Sequence, residues 1–194
     1  MADAALQIVE GVPDEWRGRA VEILYDAFRQ KFRPVMDRQS AQAVLPAMLQ
    51  ADQVLLALSG GEPVGLAGLQ VDGRPLFRLR LGPFLSAFRP WTGLRTYLWM
   101  RFLFSGLHDE PLLLDSLCVD EATRGQGVGT RLLEAVFAYG RQRGHRAVWL
   151  EVVDTNPDAQ RLYERLGFVA TKTTRYPFAR AMGFAAATTM RKDL

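Results

Sequence analysis

The chain reads as α+β, a largely antiparallel sheet of six or seven strands interrupted by helices. Three observations predict this. Two apolar runs, 53–58 and 63–71, flank Ser59-Gly60-Gly61-Glu62, which is a hairpin signal. An apolar run over 112–119 leads through a glycine-rich turn into Leu132-Leu133-Val136-Phe137, whose spacing marks one helix face. A second strand, helix and strand follow from Ala147 to Thr174.

In chain order, Leu6 to Val9 alternates weakly and is a first strand. Pro13-Asp14-Glu15 opens a helix that places Trp16, Ala20, Ile23, Leu24, Ala27 and Phe28 on one face. A second helix begins near Asp37 or Ser40 and runs through Val44, Leu45, Met48 and Leu49. Pro46 interrupts it at a cost of about 3 kcal/mol in a helix interior, so a kink or two short pieces are expected. The hairpin strands come next, and after Asp72-Gly73-Arg74 the pattern breaks until Leu112. A helix then reaches about Arg143, and a strand covers Ala147 to Val153. A short helix spans Asn156 to Leu166, and two last strands cover Phe168 to Thr174 and Ala185 to Met190.

With 194 residues, 48% hydrophobic and 23% charged, the chain has the composition of one globular domain with an insertion. Met1-Ala2-Asp3 opens no secretory signal, and no stretch reaches the ~18 apolar residues that a bilayer span requires. One cysteine excludes an internal disulfide, and two histidines leave little for a metal site. A cytoplasmic, metal-free protein is the expectation.

Arg124-Gly125-Gln126-Gly127-Val128-Gly129 carries the chemistry. A glycine-rich turn between strand and helix exposes backbone N–H groups where the helix dipole favours a phosphate. No lysine follows the glycines, which argues against a Walker A loop and magnesium-nucleotide chemistry. Gly125, Gly127 and Gly129 miss the last step of the dinucleotide fingerprint, and no suitable acid follows for a ribose. The remaining pattern, Arg-x-x-Gly-x-Gly entering a helix, resembles the pyrophosphate loop of the GNAT N-acetyltransferase superfamily, which binds acetyl-coenzyme A. A bland strand-to-helix connection is the competing reading.

Glu151 to Phe168 resembles that superfamily's other signature: a strand, an asparagine, a short helix with Leu162-Tyr163, then Gly167-Phe168. Local chemistry agrees, since Asn156 or Thr155 can cap, Pro157 suits the first turn and Gly167 suits a left-handed stop. The likeness covers about Leu112 to Gly167 closely and the rest loosely. It implies a mixed, mostly antiparallel GNAT-type sheet, flanked by helices, whose two central parallel strands splay to admit the cofactor.

Residue roles follow from the resemblance. Leu117, Cys118 and Val119 would pair with the pantetheine arm and supply an N–H to the thioester oxygen. The amides of Gln126, Gly127, Val128, Gly129 and Thr130, beside Arg124 and Gly125, would hold the pyrophosphate. Tyr163, with an ordinary pKa of about 10, would be the general acid toward the leaving thiolate; a packed core tyrosine is the alternative. Asn156 would position the pantetheine amide, or serve purely as a helix cap. For the base, Glu151 resembles the proposed base of ribosomal-protein N-terminal acetyltransferases. Asp115 and ordered water compete with it, and either carboxylate is otherwise a solvated strand residue. Cys118 lacks a nearby histidine and is read as channel lining, with no role as a nucleophile.

The insertion, Arg74 to Leu107, has 34 residues with six arginines, no acid and eight of the 20 aromatics. Arg95 and Arg101 rule out a bilayer span over its helical part. It reads as a helical lid on the acceptor side, with aromatics in the core and arginines on the rim. It reads otherwise as a homodimer or partner face, or as a surface for an anionic membrane or nucleic acid. Nucleic acid is not the expected partner, because the chain's net charge is only +3.

The sequence thus predicts an acetyltransferase acting from acetyl-coenzyme A on a primary amine of a small molecule or of a peptide or protein N-terminus. Tyr25, Phe28 and Phe32 are the expected acceptor wall. The rival reading is a non-catalytic acyl-coenzyme A-binding or interaction module; a second rival transfers longer acyl chains.

Overall fold

Hydrophobic alternation and glycine turns build a seven-stranded mixed sheet in the computed structural model, which describes residues 6–103, 110–176 and 183–194. The strands are β1 (Gln7–Glu10), β2 (Val54–Ser59), β3 (Glu62–Val71), β4 (Leu112–Val119), β5 (Ala147–Val153), β6 (Val169–Arg175) and β7 (Ala186–Asp193). Their spatial order is β1-β2-β3-β4-β5-β7-β6, and every pairing is antiparallel except β4 with β5. The helices are α1 (Arg17–Ala27), α2 (Arg29–Phe32), α3 (Arg38–Val44), α4 (Leu81–Ala87), α5 (Pro90–Leu103), α6 (Val128–Gln142) and α7 (Pro157–Arg165).

Each sheet face carries its own core. On one, α6 turns in Leu132, Leu133 and Val136, all fully buried, with Phe137, Val148, Leu150 and Met190. Burying each such aliphatic side chain is worth about 1.5–3 kcal/mol. On the other, α1 contributes Ala20, Val21, Ile23, Leu24 and Tyr25, joined by Leu45, Met48, Leu56, Leu66, Phe84 and Met100. Ala27, expected on the apolar face of α1, is exposed, and Val21 is buried instead.

Pro46 acts more strongly than a kink. α3, capped by the Asp37 carboxylate accepting from the Ser40 N–H at 2.8 Å, stops at Val44. Leu45 and Met48 stay buried beyond it, and Leu49 bridges to Phe77 as an isolated extended pair. The hairpin forms with Gly60 and Gly61 both at positive φ, the geometry of a two-residue turn suited to twisted strands.

The insertion divides between core and surface. Phe84 and Met100 are fully buried, Phe84 meets Tyr97 edge-on at 5.6 Å, and the Thr96 hydroxyl donates to the Val35 carbonyl at 3.4 Å. This seats α4 and α5 beside the segment after α2. Trp91 and Trp99 are exposed, so the expectation that the aromatics are core holds for only some of them. Phe104 and the rest of the insertion through Leu107 lie outside the described residues.

Candidate active site

The parallel pairing of β4 with β5 consists of two rungs, Leu113 with Trp149 and Leu114 with Leu150. Beyond them the strands diverge. The cause lies in β4, where the register against β3 shifts between Leu69–Leu114 and Gly68–Ser116, leaving Asp115 as a bulged residue. A bulge bends its strand and raises the local twist. Among the described residues, Ser116 to Val119 pair with β3 on one side and with no strand on the other. The backbone edge facing the opening therefore offers a free row of donors and acceptors for an extended ligand.

The bulge also changes which side chains face which core. Leu112 and Leu114 join the α6-side core, while Cys118 belongs to the α1-side core and Leu117 and Val119 pack toward α6. Cys118 is buried, and that burial, then Asp115, pushes its thiol well above the ordinary value. A buried thiol held protonated is a weak nucleophile.

The glycine loop ends β4 through one turn of 3-10 helix at 121–123, capped by the Asp120 carboxylate accepting from Ala122 N–H at 3.0 Å. Gly127 sits at φ 82° as the residue before α6, a left-handed geometry that favours glycine. No side chain caps this helix, and its first turn holds no acid. The first helical bond runs from Arg131 N–H to the Gly127 carbonyl at 3.0 Å, so the N–H groups of Gly127, Val128, Gly129 and Thr130 have no backbone acceptor among the described residues. By contrast α3 and α7 are capped by their own side chains. Gln126 differs from the expectation of a free donor: its N–H leans toward Thr123 O at 3.4 Å. Arg124 Nε donates to Val119 O at 3.4 Å and Gln126 Nε2 to Ala122 O at 3.2 Å, which ties the exposed loop together. Gly129 is helical with room for a Cβ beside Leu162 and Val119, at 3.7 and 3.8 Å.

α7 is fixed at both ends. Asn156 Oδ1 accepts from Ala159 N–H at 3.2 Å, so the cap reading of Asn156 holds in this structure. At the other end Gly167 adopts φ 86°, and Phe168 N–H donates to Tyr163 O at 3.0 Å, closing a left-handed helix stop. The hydrophobic contact that accompanies such a stop is Tyr163 against Phe168, edge-on at 5.7 Å. The helix terminus thus orients the Tyr163 ring. Tyr163 keeps 8% of its surface, and its hydroxyl has no hydrogen-bond partner among the described residues. Burial first, and Cys118 second, raise the phenol above its ordinary value, which keeps it a proton donor at neutral pH.

Asp115 and Glu151 are each the first residue past the last parallel rung. Burial raises the Asp115 carboxyl to about 6, against the opposing pull of Lys31. Glu151 is exposed and accepts from the Thr189 hydroxyl at 3.4 Å. Lys31, on α2, is the residue that sequence reasoning missed. Its Nζ lies 5.1 Å from the Phe28 ring and 5.8 Å from the Phe184 ring, and it interacts electrostatically with Asp115, Glu151 and Cys118. Within Arg29-Gln30-Lys31-Phe32 it looks like any solvated basic residue; only its scarcity was a signal, since the chain has three lysines.

Of the expected acceptor wall, Phe28 stands beside this cluster. Tyr25 and Phe32 instead stack on each other at 5.5 Å inside the core, with the Tyr25 hydroxyl donating to Met36 O at 3.3 Å. Their rings are committed to packing α1 and α2, not to an exposed face.

A parallel strand pair that parts after two rungs, beside a helix whose N-terminus no side chain caps, is the arrangement in which the chain can be compared with known proteins. The family model described as "Acetyltransferase (GNAT) family" matches residues 19–168, and the chain belongs to this family. The camello probable N-acetyltransferase of Xenopus tropicalis is 38% identical over 69 residues, 36% of this chain and 32% of that protein. The [ribosomal protein bS18]-alanine N-acetyltransferase of Haemophilus ducreyi is 38% identical over 73 residues, 37% of this chain and 50% of that protein. The chain thus spans a third to a half of the length of these relatives. Bacillus subtilis YhfO, an uncharacterized N-acetyltransferase, aligns more widely, 26% identical over 77% of this chain and 81% of its own. Among solved structures, an N-acetyltransferase from Staphylococcus aureus Mu50 superposes with TM-score 0.68 at 13% identity, covering 96% of this chain and all of that one. Arabidopsis thaliana Naa50, solved with the bisubstrate analogue CoA-Ac-MVNAL, gives 0.60 at 16% identity, covering 97% and 99%. At such identities the likeness is one of fold.

Proposed function

We propose that this chain transfers an acetyl group from acetyl-coenzyme A to a primary amine, of a small molecule or of a peptide or protein N-terminus, by direct attack in the opening between β4 and β5. The observation that carries the reading is a convergence. Four undonated N–H groups at the start of α6 and the unpaired edge of β4 border one opening. A diphosphate suits the first and an extended amide-bearing arm suits the second.

The residues present fit that cosubstrate. With no acid in its first turn, α6 presents positive potential alone to a phosphate. Ser116 to Val119 offer strand-like pairing, and one of their N–H groups would donate to the thioester oxygen as charge develops there. Tyr163 would give its proton to the departing thiolate. The incoming ammonium must first lose a proton, and Asp115, held near 6, accepts one readily at neutral pH. Glu151 or ordered water is the alternative route. Among the described residues, the carboxylates of Asp115 and Glu151 lie on this side of the opening with Lys31, which suits an acceptor that arrives as a cation.

Thiol release measured on mixing acetyl-coenzyme A with a panel of amines tests the reading. Amine-dependent release that saturates in both substrates is expected. Binding of coenzyme A without release for any amine or peptide N-terminus would make the chain an acyl-coenzyme A-binding module.

A further inference from the structure

Lysine is scarce here: three lysines stand against 21 arginines. The chain uses arginine for nearly every permanent positive charge, and a guanidinium does not deprotonate in proteins. The three lysines occupy different surroundings. Lys172 is exposed on the β6 edge, and Lys192 lies over the Phe137 ring at 5.2 Å. Lys31 alone sits where β4 and β5 part, between the Phe28 and Phe184 rings and facing Asp115, Glu151 and Cys118.

We propose that Lys31 is itself an acetyl acceptor of this site, so that the protein acetylates its own α2 in the absence of a competing amine. The inference rests on the reading that acetyl-coenzyme A occupies the opening between β4 and β5. Three features support it. Lys31 Nζ makes no ion pair within 4 Å among the described residues, so neither carboxylate holds it in place. Its ammonium lies over the Phe28 and Phe184 rings, at 5.1 and 5.8 Å, on the side of Asp115 and Glu151, the residues at which the strands part. Burial lowers its pKa, which raises the fraction of free amine.

The step balances simply. The Lys31 ammonium loses one proton to Asp115 or water, and the amine lone pair bonds to the thioester carbonyl carbon. The C–S bond breaks with its electron pair on sulfur, which takes a proton as the nitrogen gives up its second. The products are a neutral Nε-acetyl-lysine, coenzyme A thiol and one net proton. With the positive charge gone, a cationic acceptor meets Asp115 and Glu151 without the opposing Lys31.

The test incubates the full chain with acetyl-coenzyme A and no amine, then maps acetylation by peptide mass spectrometry over Lys31, Lys172 and Lys192. Modification of Lys31 is expected, saturating with acetyl-coenzyme A, independent of protein concentration and blocked by desulfo-coenzyme A. Lys172 and Lys192 should label at least about tenfold more slowly, since they lack proximity to the donor. The K31R variant should lose the mapped product. Equal labelling of all three lysines, or a rate that never saturates, marks plain chemical acetylation and overturns the proposal. An unmodified Lys31 in a sample that acetylates an added amine also overturns it and leaves the proposed function standing. Failure of the folded protein to take up coenzyme A overturns both.

Discussion

Asp115 and Glu151 stand at the first positions beyond the Leu114–Leu150 rung, one on each arm of the diverging strand pair. Asp115, the bulged residue, is half-buried, whereas Glu151 is exposed. Burial raises Asp115 from 3.8 to about 6. An acid raised on folding binds its proton more tightly folded than unfolded. Across that interval stability therefore falls as pH rises, and it levels off above it. Thermal or denaturant midpoints followed through this range should show the slope in the wild type. Asp115→Asn should flatten it, and equal slopes would show that burial does not perturb this group.

The same carboxyl predicts a rate effect. If Asp115 takes the acceptor's proton, kcat/KM rises with pH through a limb near 6, and Asp115→Asn removes that limb. Glu151→Gln would remove a limb only if Glu151 is the base. Unchanged pH profiles in both variants would assign the proton to water.

Tyr163→Phe removes a hydroxyl without a partner among the described residues and keeps the ring against Phe168. Stability should change little. If the phenol protonates the leaving thiolate, kcat falls about 10²-fold while the KM for acetyl-coenzyme A holds. An unaltered kcat would make Tyr163 a packing residue.

Thr130→Asp separates helix stability from ligand binding. An acid in the first turn of α6 complements the helix dipole and should stabilise the fold by about 0.3–1 kcal/mol. The same charge opposes a diphosphate, so coenzyme A affinity should drop at least about tenfold. Denaturation and binding measured on one sample must move in opposite directions; a parallel loss would point to simple damage.

The insertion predicts a contrast. Phe84, fully buried, should cost about 3–5 kcal/mol on replacement by Ala, whereas Trp91, 85% exposed, should cost under about 0.5. Comparable losses would mean that α5 packs its other face inward.

Local signals made much of this legible from sequence. β5 has the predicted bounds, Ala147–Val153, because apolar alternation and flanking turns are encoded in neighbouring residues. α7 is one residue shorter at each end than expected, with Asn156 and Leu166 as its caps, and its signals, Asn156, Pro157 and Gly167, likewise act within a few residues. The bulge at Asp115 was hidden, since it is a property of register against β3 and not of β4 alone. Lys31 was hidden for a related reason: its neighbours in space come from β4, β5 and the segment before β7. Tyr25 and Phe32 show the converse failure, because spacing along a helix marks an apolar face without saying whether core or cleft lies beyond it.

Acetyl transfer in this opening requires the start of α6 and the free edge of β4 to receive one ligand. Isothermal titration of the folded chain with coenzyme A addresses this directly. A saturable one-to-one isotherm that weakens in Thr130→Asp is the predicted result. Absence of binding by protein that is demonstrably folded would contradict it.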